Sequence, residues 1–251
     1  MLWLRVEAPF ATFRTFTAGW YRPTATFLTP SAAYGLVLNL AGIDSRLREG
    51  DDGHDGKTPA TLTANGLPTM KLALGAAAQD RRGKLIPFDA AFPHMQTVYQ
   101  QLHNYPVGAS GKEHAKNTWG NKYNITPVRR EFLSDLRAII GIDTDAATAD
   151  RIRSGLAGAF PRYGVPFLGD NNFLLDRAEL GESPGACYWF VPVRESVGGP
   201  LPRTTRLTVT IDRADLSRTV SHLFAPGENP SREPPSEAWT PVGRSEEEQS
   251  K

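Results

Sequence analysis

Apolar and polar residues alternate from Leu2 to Glu7, with Leu2, Leu4 and Val6 on one face, and predict a half-buried strand that Pro9 ends. A polar, aromatic loop is expected from Phe10 to Thr29. Pro30-Ser31 then opens an apolar helix that runs to Ile43, with Gly42 as its stop signal and Ser31 as a candidate cap. Residues 44–59, rich in Gly and Asp, read as a surface loop. Met70, Leu72 and Leu74 restore period two in a strand over Leu67–Ala77, followed by a turn at Asp80–Gly83. From Lys84 to Thr126 no helical period exists, which predicts an insertion, a long β-hairpin projecting from the core. Arg129–Ile142 reads as a strand ending near Gly141, with Phe132, Leu136, Ile139 and Ile140 supplying core. A helix over Ala146–Leu156 follows the cap candidates Asp143, Thr144 and Asp145. Cys187–Val193 and Arg206–Ile211 read as strands, and residues 225–251, proline-rich and then glutamate-rich, as a disordered polar tail.

The resulting order is strand, helix, strand, insertion, strand, helix, strand, strand. It predicts an α+β chain with one ferredoxin-like β-α-β-β-α-β domain over residues 1–224, both helices on one face, and a hairpin inserted at about 84–126. That architecture hosts unrelated functions and selects none of them.

Composition narrows the classes. With 251 residues, 40% of them hydrophobic, the chain can bury a core without metal or disulfide help. Cys187 is the sole cysteine, so neither an internal disulfide nor a cysteine-based zinc site can form, and a reducing cytoplasm is the expected compartment. Arg5 and Glu7 interrupt the apolar start, and no apolar run is long enough for a bilayer, so a soluble protein without a signal peptide is expected.

A net charge of +1 conceals segregation. Lys112, Lys116, Lys122, Arg129 and Arg130 face Glu113 alone, whereas acid collects at Asp51, Asp52 and Asp55 and at Glu246, Glu247 and Glu248. Local clusters of cations serve nucleic acid as well as a high total charge does. His114, Trp119, Tyr123 and Tyr105 lie among these cations, and an earlier loop repeats the chemistry with Arg14, Trp20, Tyr21 and Arg22. Cations pair with phosphates and aromatic rings offer faces to splayed bases.

Other chemistries fit worse. The loop Asp51-Asp52-Gly53-His54-Asp55-Gly56 lacks two oxygen donors of a calcium loop, having Gly53 and Leu62 in their places. Ser31 lacks the glycines of a nucleophile elbow. Cys187 reads as an inert core thiol, and Asp170-Asn171 as a glycine turn bonding its own backbone. No metal and no cofactor is expected.

Three segments resemble the Cas-five family of CRISPR-associated proteins. They are Ala8-Pro9-Phe10-Ala11-Thr12-Phe13-Arg14 with Thr29-Pro30-Ser31-Ala32-Ala33-Tyr34-Gly35-Leu36, then Arg129-Arg130-Glu131-Phe132-Leu133, then Pro166-Phe167-Leu168-Gly169-Asp170-Asn171-Asn172-Phe173. They stand in the family's order over roughly residues 1 to 180. The resemblance implies an RRM/RAMP-like domain with a thumb hairpin, acting in a type I Cascade surveillance complex for antiviral defence or other RNA-guided targeting. Such a subunit holds the 5′ handle of the crRNA, meets the backbone and large subunits, and meets target DNA only through the complex. The RNA-binding residues expected are Arg14, Trp20, Tyr21, Arg22, Lys112, His114, Lys116, Trp119, Lys122, Tyr123, Arg129 and Arg130. One branch of the family cleaves precursor crRNA without metal, using tyrosine, lysine and histidine. Lys112, His114 and Tyr123 would be the counterparts, but Glu113 separates the lysine from the histidine, so a scaffold rather than an enzyme is expected. A protein-only bridging module is the further alternative.

Overall fold

The computed structural model describes residues 1–15, 21–48, 62–106, 123–193 and 201–243. In chain order these form β1 (Leu2–Ala11), β2 (Tyr21–Arg22), α1 (Pro30–Leu40), β3 (Met70–Ala77), β4 (His94–Pro106), β5 (Tyr123–Asp143) and α2 (Ala146–Leu156). Then follow β6 (Arg177–Gly181), β7 (Cys187–Pro192), β8 (Thr205–Thr210), β9 (Val220–Pro226) and β10 (Thr240–Val242). The fold is mixed and sheet-dominated, with two α-helices among the described residues.

One sheet runs β6-β1-β5-β3-β7-β9-β8, with β10 added to β3 and both β2 and β4 added to β5. The neighbours along β6-β1-β5-β3 are all antiparallel. β5 serves two purposes. Its C-terminal half is the central strand, with Leu133–Ile142 against β1 and Ala138–Asp143 against β3. Its N-terminal half continues past the sheet and pairs with β4 from Tyr123↔Pro106 to Ser134↔His94. The expected hairpin is therefore present at its base as a two-stranded ribbon continuous with the core, and residues 107–122 between its arms lie outside the described residues.

The halves of β5 join at a break in alternation. Leu133 and Leu136 both enter the core, three residues apart, where Asp135 takes φ 59° without shifting the register of β5 on β1. Ala8 and Ala11 on β1 show the same offset. Beyond Asp135 the faces exchange, which decides where the ribbon's side chains point.

Both helices cover one face. Thr29 rather than Ser31 caps α1: its Oγ1 accepts from the Ala32 amide at 3.2 Å, and Pro30 takes the first helical position, where no N–H is needed. Asp145 caps α2 by accepting from the Thr148 amide at 2.8 Å. At Gly155 a Cβ would overlap the Leu40 carbonyl oxygen, so a residue without a side chain sits where the helix ends meet. Arg151 Nε then donates to Ala41 O at 3.2 Å, satisfying an otherwise orphaned carbonyl at the end of α1.

The disordered tail expected from residue 225 onward is corrected as far as Gly243. β9 ends at Pro226, Ser231 exchanges backbone hydrogen bonds with Cys187, and β10 pairs with Met70–Leu72 of β3. This segment covers the sheet face opposite the helices, where Trp3 packs against Trp189 and Trp239 at centroid distances of 6.0 and 6.2 Å. Ala238, Trp239 and Val242 supply enough apolar surface to hold a proline-rich stretch. Cys187 lies beneath it, fully buried, and burial pushes its thiol pKa up to about 12, as suits an inert core residue.

Candidate nucleic-acid interface

The root of the ribbon gathers the described members of the predicted set. Tyr21 of β2 pairs with Arg129 of β5, and Arg129 pairs with Tyr99 of β4, so the three form one row across three strands. The Arg129 guanidinium lies over the Tyr21 ring, 5.2 Å from its centroid. Tyr99 is 75% exposed and Tyr21 44%, an unusual degree for aromatic residues on paired strands.

Glu131 fixes this row from below. It is 7% exposed; one carboxylate oxygen accepts a short hydrogen bond from the Tyr21 hydroxyl and the other accepts from the Thr24 amide at 3.3 Å. The Tyr21 phenol is held protonated, its pKa raised first by the hydrogen bond to Glu131, then by burial and by the carboxylate's charge, against the opposing charge of Arg129. A buried carboxylate thus ties the aromatic loop to β5, and the exposed edge of Tyr21 is pre-positioned.

The neighbouring residue behaves differently. Successive side chains of a strand point to opposite faces, so Arg130 leaves β5 on the other side from Arg129. There it forms a short ion pair with Asp170, each side chain only 11% exposed, and stacks 5.4 Å from the Phe173 ring centre. Burial opposes ionisation of Asp170. The Asn172 amide, the Arg130 guanidinium and the charge of Arg14 outweigh it and hold the carboxyl below the usual carboxylate range. Asp170 does accept from its own turn, at the Asn172 amide, as expected, but it also accepts from an arginine forty residues earlier.

Gly169 sets that geometry. It takes φ 81°, and a Cβ there would overlap the Thr12 carbonyl oxygen. Thr12 N donates to Leu168 O at 3.1 Å, so the turn carrying Asp170 and Phe173 is pressed onto the end of β1. Phe10, Phe132 and Phe173 then meet at the surface, with centroid separations of 5.6, 5.9 and 6.0 Å.

Of the predicted residues, Tyr21 and Arg129 are brought together, Arg22 pairs in register with Arg130, and Arg14 bridges to Thr24 close to Asp170. Trp20, Lys112, His114, Lys116, Trp119 and Lys122 lie outside the described residues; Tyr105 and Tyr123 lie on the described backbone of β4 and β5. Glu131, Tyr99 and the phenylalanine cluster were not singled out as site residues. Only Tyr99 carried a sequence signal, as an aromatic in a Gln- and Thr-rich run with no apolar partner at period two. Among the described residues no group of three or more His, Cys, Asp or Glu is placed to hold a metal ion, and no helix is long and apolar enough to cross a membrane.

The chain is similar to solved structures of CRISPR proteins. A chain of a structure titled CRISPR RNA-guided surveillance complex aligns at a TM-score of 0.50 and 13% identity, covering 94% of this chain and 95% of that one. Another, titled Crystal structure of Cas protein, aligns at a TM-score of 0.45 and 13% identity, over 93% and 97% of the two chains. At such identity the first likeness speaks to the fold alone. No curated protein sequence matches. The family model described as CRISPR-associated protein (Cas_Cas5) matches residues 1–176, which include the ribbon, the Tyr21–Arg129–Tyr99 row and the Arg130–Asp170 pair. The chain belongs to the CRISPR-associated protein (Cas_Cas5) family.

Proposed function

We propose that this CRISPR complex subunit binds crRNA: it holds the 5′ handle in a type I Cascade, in the cytoplasm, and nucleates assembly with the backbone and large subunits. The carrying observation is the ribbon. Its root presents Tyr21, Arg129 and Tyr99 in one exposed row, and its far end joins the stretch with Lys112, Lys116 and Lys122. An exposed row of aromatic faces and a cation, with further cations in the sequence that joins the two arms, matches single-stranded RNA, whose bases stack and whose phosphates pair. The fourth-first-third-second order of β6-β1-β5-β3, all antiparallel and spanned by α1 and α2, supports the ferredoxin-like reading of the domain.

The subunit acts as a scaffold and not as a nuclease in this reading. Grip on phosphates needs only charge and reach, whereas cleavage needs a base, a cation and an acid held in line with a 2′-hydroxyl.

Co-purification with the products of neighbouring genes, followed by sequencing of bound RNA, tests the proposal. Small RNAs sharing a constant 5′ end support it; random RNA, or none, overturns it. Replacing Lys112, Lys116 and Lys122 together by alanine is expected to weaken RNA binding and flatten its salt dependence by about three counterions. An unchanged affinity and slope would take the insertion out of the site.

A further inference from the structure

Because Arg129 and Arg130 leave β5 in opposite directions, the ribbon root has a second face, which the Tyr21–Arg129–Tyr99 row does not use. Phe10, Phe132 and Phe173 meet there in tilted and edge-on contacts, and Phe10 remains 44% exposed. Its partners on adjacent strands are polar: Phe10 pairs with Ser134, and Ser134 with His94. No core element covers the rings, although the sheet has two covered faces into which aromatics would pack.

The rim is cationic. Arg14 is exposed and Arg22 half-buried; among the described residues neither forms a close ion pair, and Arg14 acts on Asp170 through its charge alone. The Asp170 carboxylate beside this rim is already engaged by Arg130 and by the Asn172 amide. Guanidinium groups around an aromatic floor match a nucleotide in both its parts, a flat π-face and a negative phosphate. An aliphatic protein anchor would satisfy the rings and leave the arginines unanswered.

We propose that the Phe10–Phe132–Phe173 cluster, rimmed by Arg14 and Arg22, is a stacking site for one unpaired RNA base. The inference rests on the RNA-binding reading of the chain and adds to it a second contact on the opposite face of β5. Phe10 supplies the exposed ring, Phe132 and Phe173 fix its tilt, and Arg14 and Arg22 receive the flanking phosphates. The Arg130–Asp170 pair holds Phe173 in place and carries no net charge toward the ligand.

Fluorescence anisotropy on the full chain tests this with two labelled probes: decaadenylate, and an abasic ribose-phosphate strand of equal length. Phe10→Leu keeps apolar volume and removes the π-face. It is expected to weaken decaadenylate binding about tenfold and leave the abasic strand unaffected, with a melting temperature within about 2 °C of wild type. Arg22→Gln is expected to weaken both strands alike and lower the salt slope by about one. If Phe10→Leu leaves decaadenylate affinity unchanged while the Lys112, Lys116 and Lys122 triple variant loses it, the RNA reading stands and the stacking site is refuted. An equal loss on both strands also refutes stacking. Failure of the wild type to bind either strand overturns the RNA reading and the stacking site together. Loss of partner subunits from Phe10→Leu with RNA affinity intact would show a protein interface in place of a base site.

Discussion

Arg130 and Asp170 offer a measurement that separates a structural arginine from a phosphate ligand. The perturbations are Asp170→Asn, Arg130→Met and the double variant. Each side chain of the pair is 11% exposed, so the partner left behind in a single variant is a charge largely out of water. Breaking one side of a fully buried pair costs roughly 3–5 kcal/mol, and the residual exposure here lowers that to about 2–4 kcal/mol for Asp170→Asn. Arg130→Met is expected to cost less, about 1–3 kcal/mol, because the Asn172 amide and Arg14 still favour the carboxylate. The double variant leaves neither charge, so its cost falls short of the sum by about 1–3 kcal/mol.

Urea unfolding followed by tryptophan fluorescence reads these values, with an unchanged m-value as the condition for comparing them. A pH series adds a signed check. Asp170 has its carboxyl held below the usual range, so its contribution is fully present above the unfolded value of about 3.9 and is lost as pH falls through the lower folded value. The gap between wild type and Asp170→Asn is therefore expected to close in strong acid. In RNA binding, Arg129→Met is expected to lower the salt slope by about one, while Arg130→Met leaves it unchanged because its charge is already answered. Additivity of the two single variants within about 0.5 kcal/mol, or a reduced salt slope in Arg130→Met, would refute the assignment.

Ending the chain at Pro226 removes Val242 and Trp239 from the sheet at about 1.5–3 kcal/mol each, so a fall in melting temperature of about 10 °C is expected; a fall under about 3 °C would contradict the docking of β10. Gly169→Ala combines a left-handed backbone with overlap on Thr12 and is expected to destabilise by about 2–6 kcal/mol. Gly35→Ala, in open space on α1, is the control and is expected to stabilise by up to about 1 kcal/mol; equal effects in thermal melts would contradict the placement of the turn. The purified chain is expected not to cut repeat RNA at the handle boundary, with or without magnesium, and His114→Ala to assemble normally. Site-specific cleavage lost in His114→Ala with RNA binding intact would make Lys112, His114 and Tyr123 catalysts.

Elements with a buried face were legible in the sequence. Ala146–Leu156 is helical over its expected span, β3 and β8 lie where period-two patterns put them, and β7 lies in its expected stretch, while β1 runs through Pro9 to Ala11 instead of ending at the proline. Half-exposed or very short strands left no such trace. β6, Arg-Ala-Glu-Leu-Gly, is a half-exposed edge strand, and β10 has only three residues, so neither carries a pattern long enough to read. The tail was misread because composition counts proline and glutamate, while docking depended on Ala238, Trp239 and Val242 finding a ready apolar face. At the candidate site, the clustering of cations and aromatics was legible but its geometry was not. Arg129 and Arg130 read as one basic unit, yet strand alternation sends one over Tyr21 and the other into a pair with Asp170. That partner, forty residues away, becomes visible only once Gly169 folds its turn against Thr12.

The ribbon's root is firm because β5 does not end where the sheet ends. A projection joined to the core by loops would have to lose conformational freedom when it grips a flexible ligand, and binding would weaken by that amount. Here the row Tyr21–Arg129–Tyr99 stands only a few residues from Leu133, which is fully packed between β1 and β4. Glu131, between them, clamps the aromatic loop to the same strand. The exchange of faces at Asp135 brings Arg130 and Phe132 out beside Phe10, while Arg129 and Glu131 share the face of buried Leu133. Sequence neighbours are thereby separated onto two surfaces anchored to one rigid strand, so a ligand reaching both must cross the ribbon's edge.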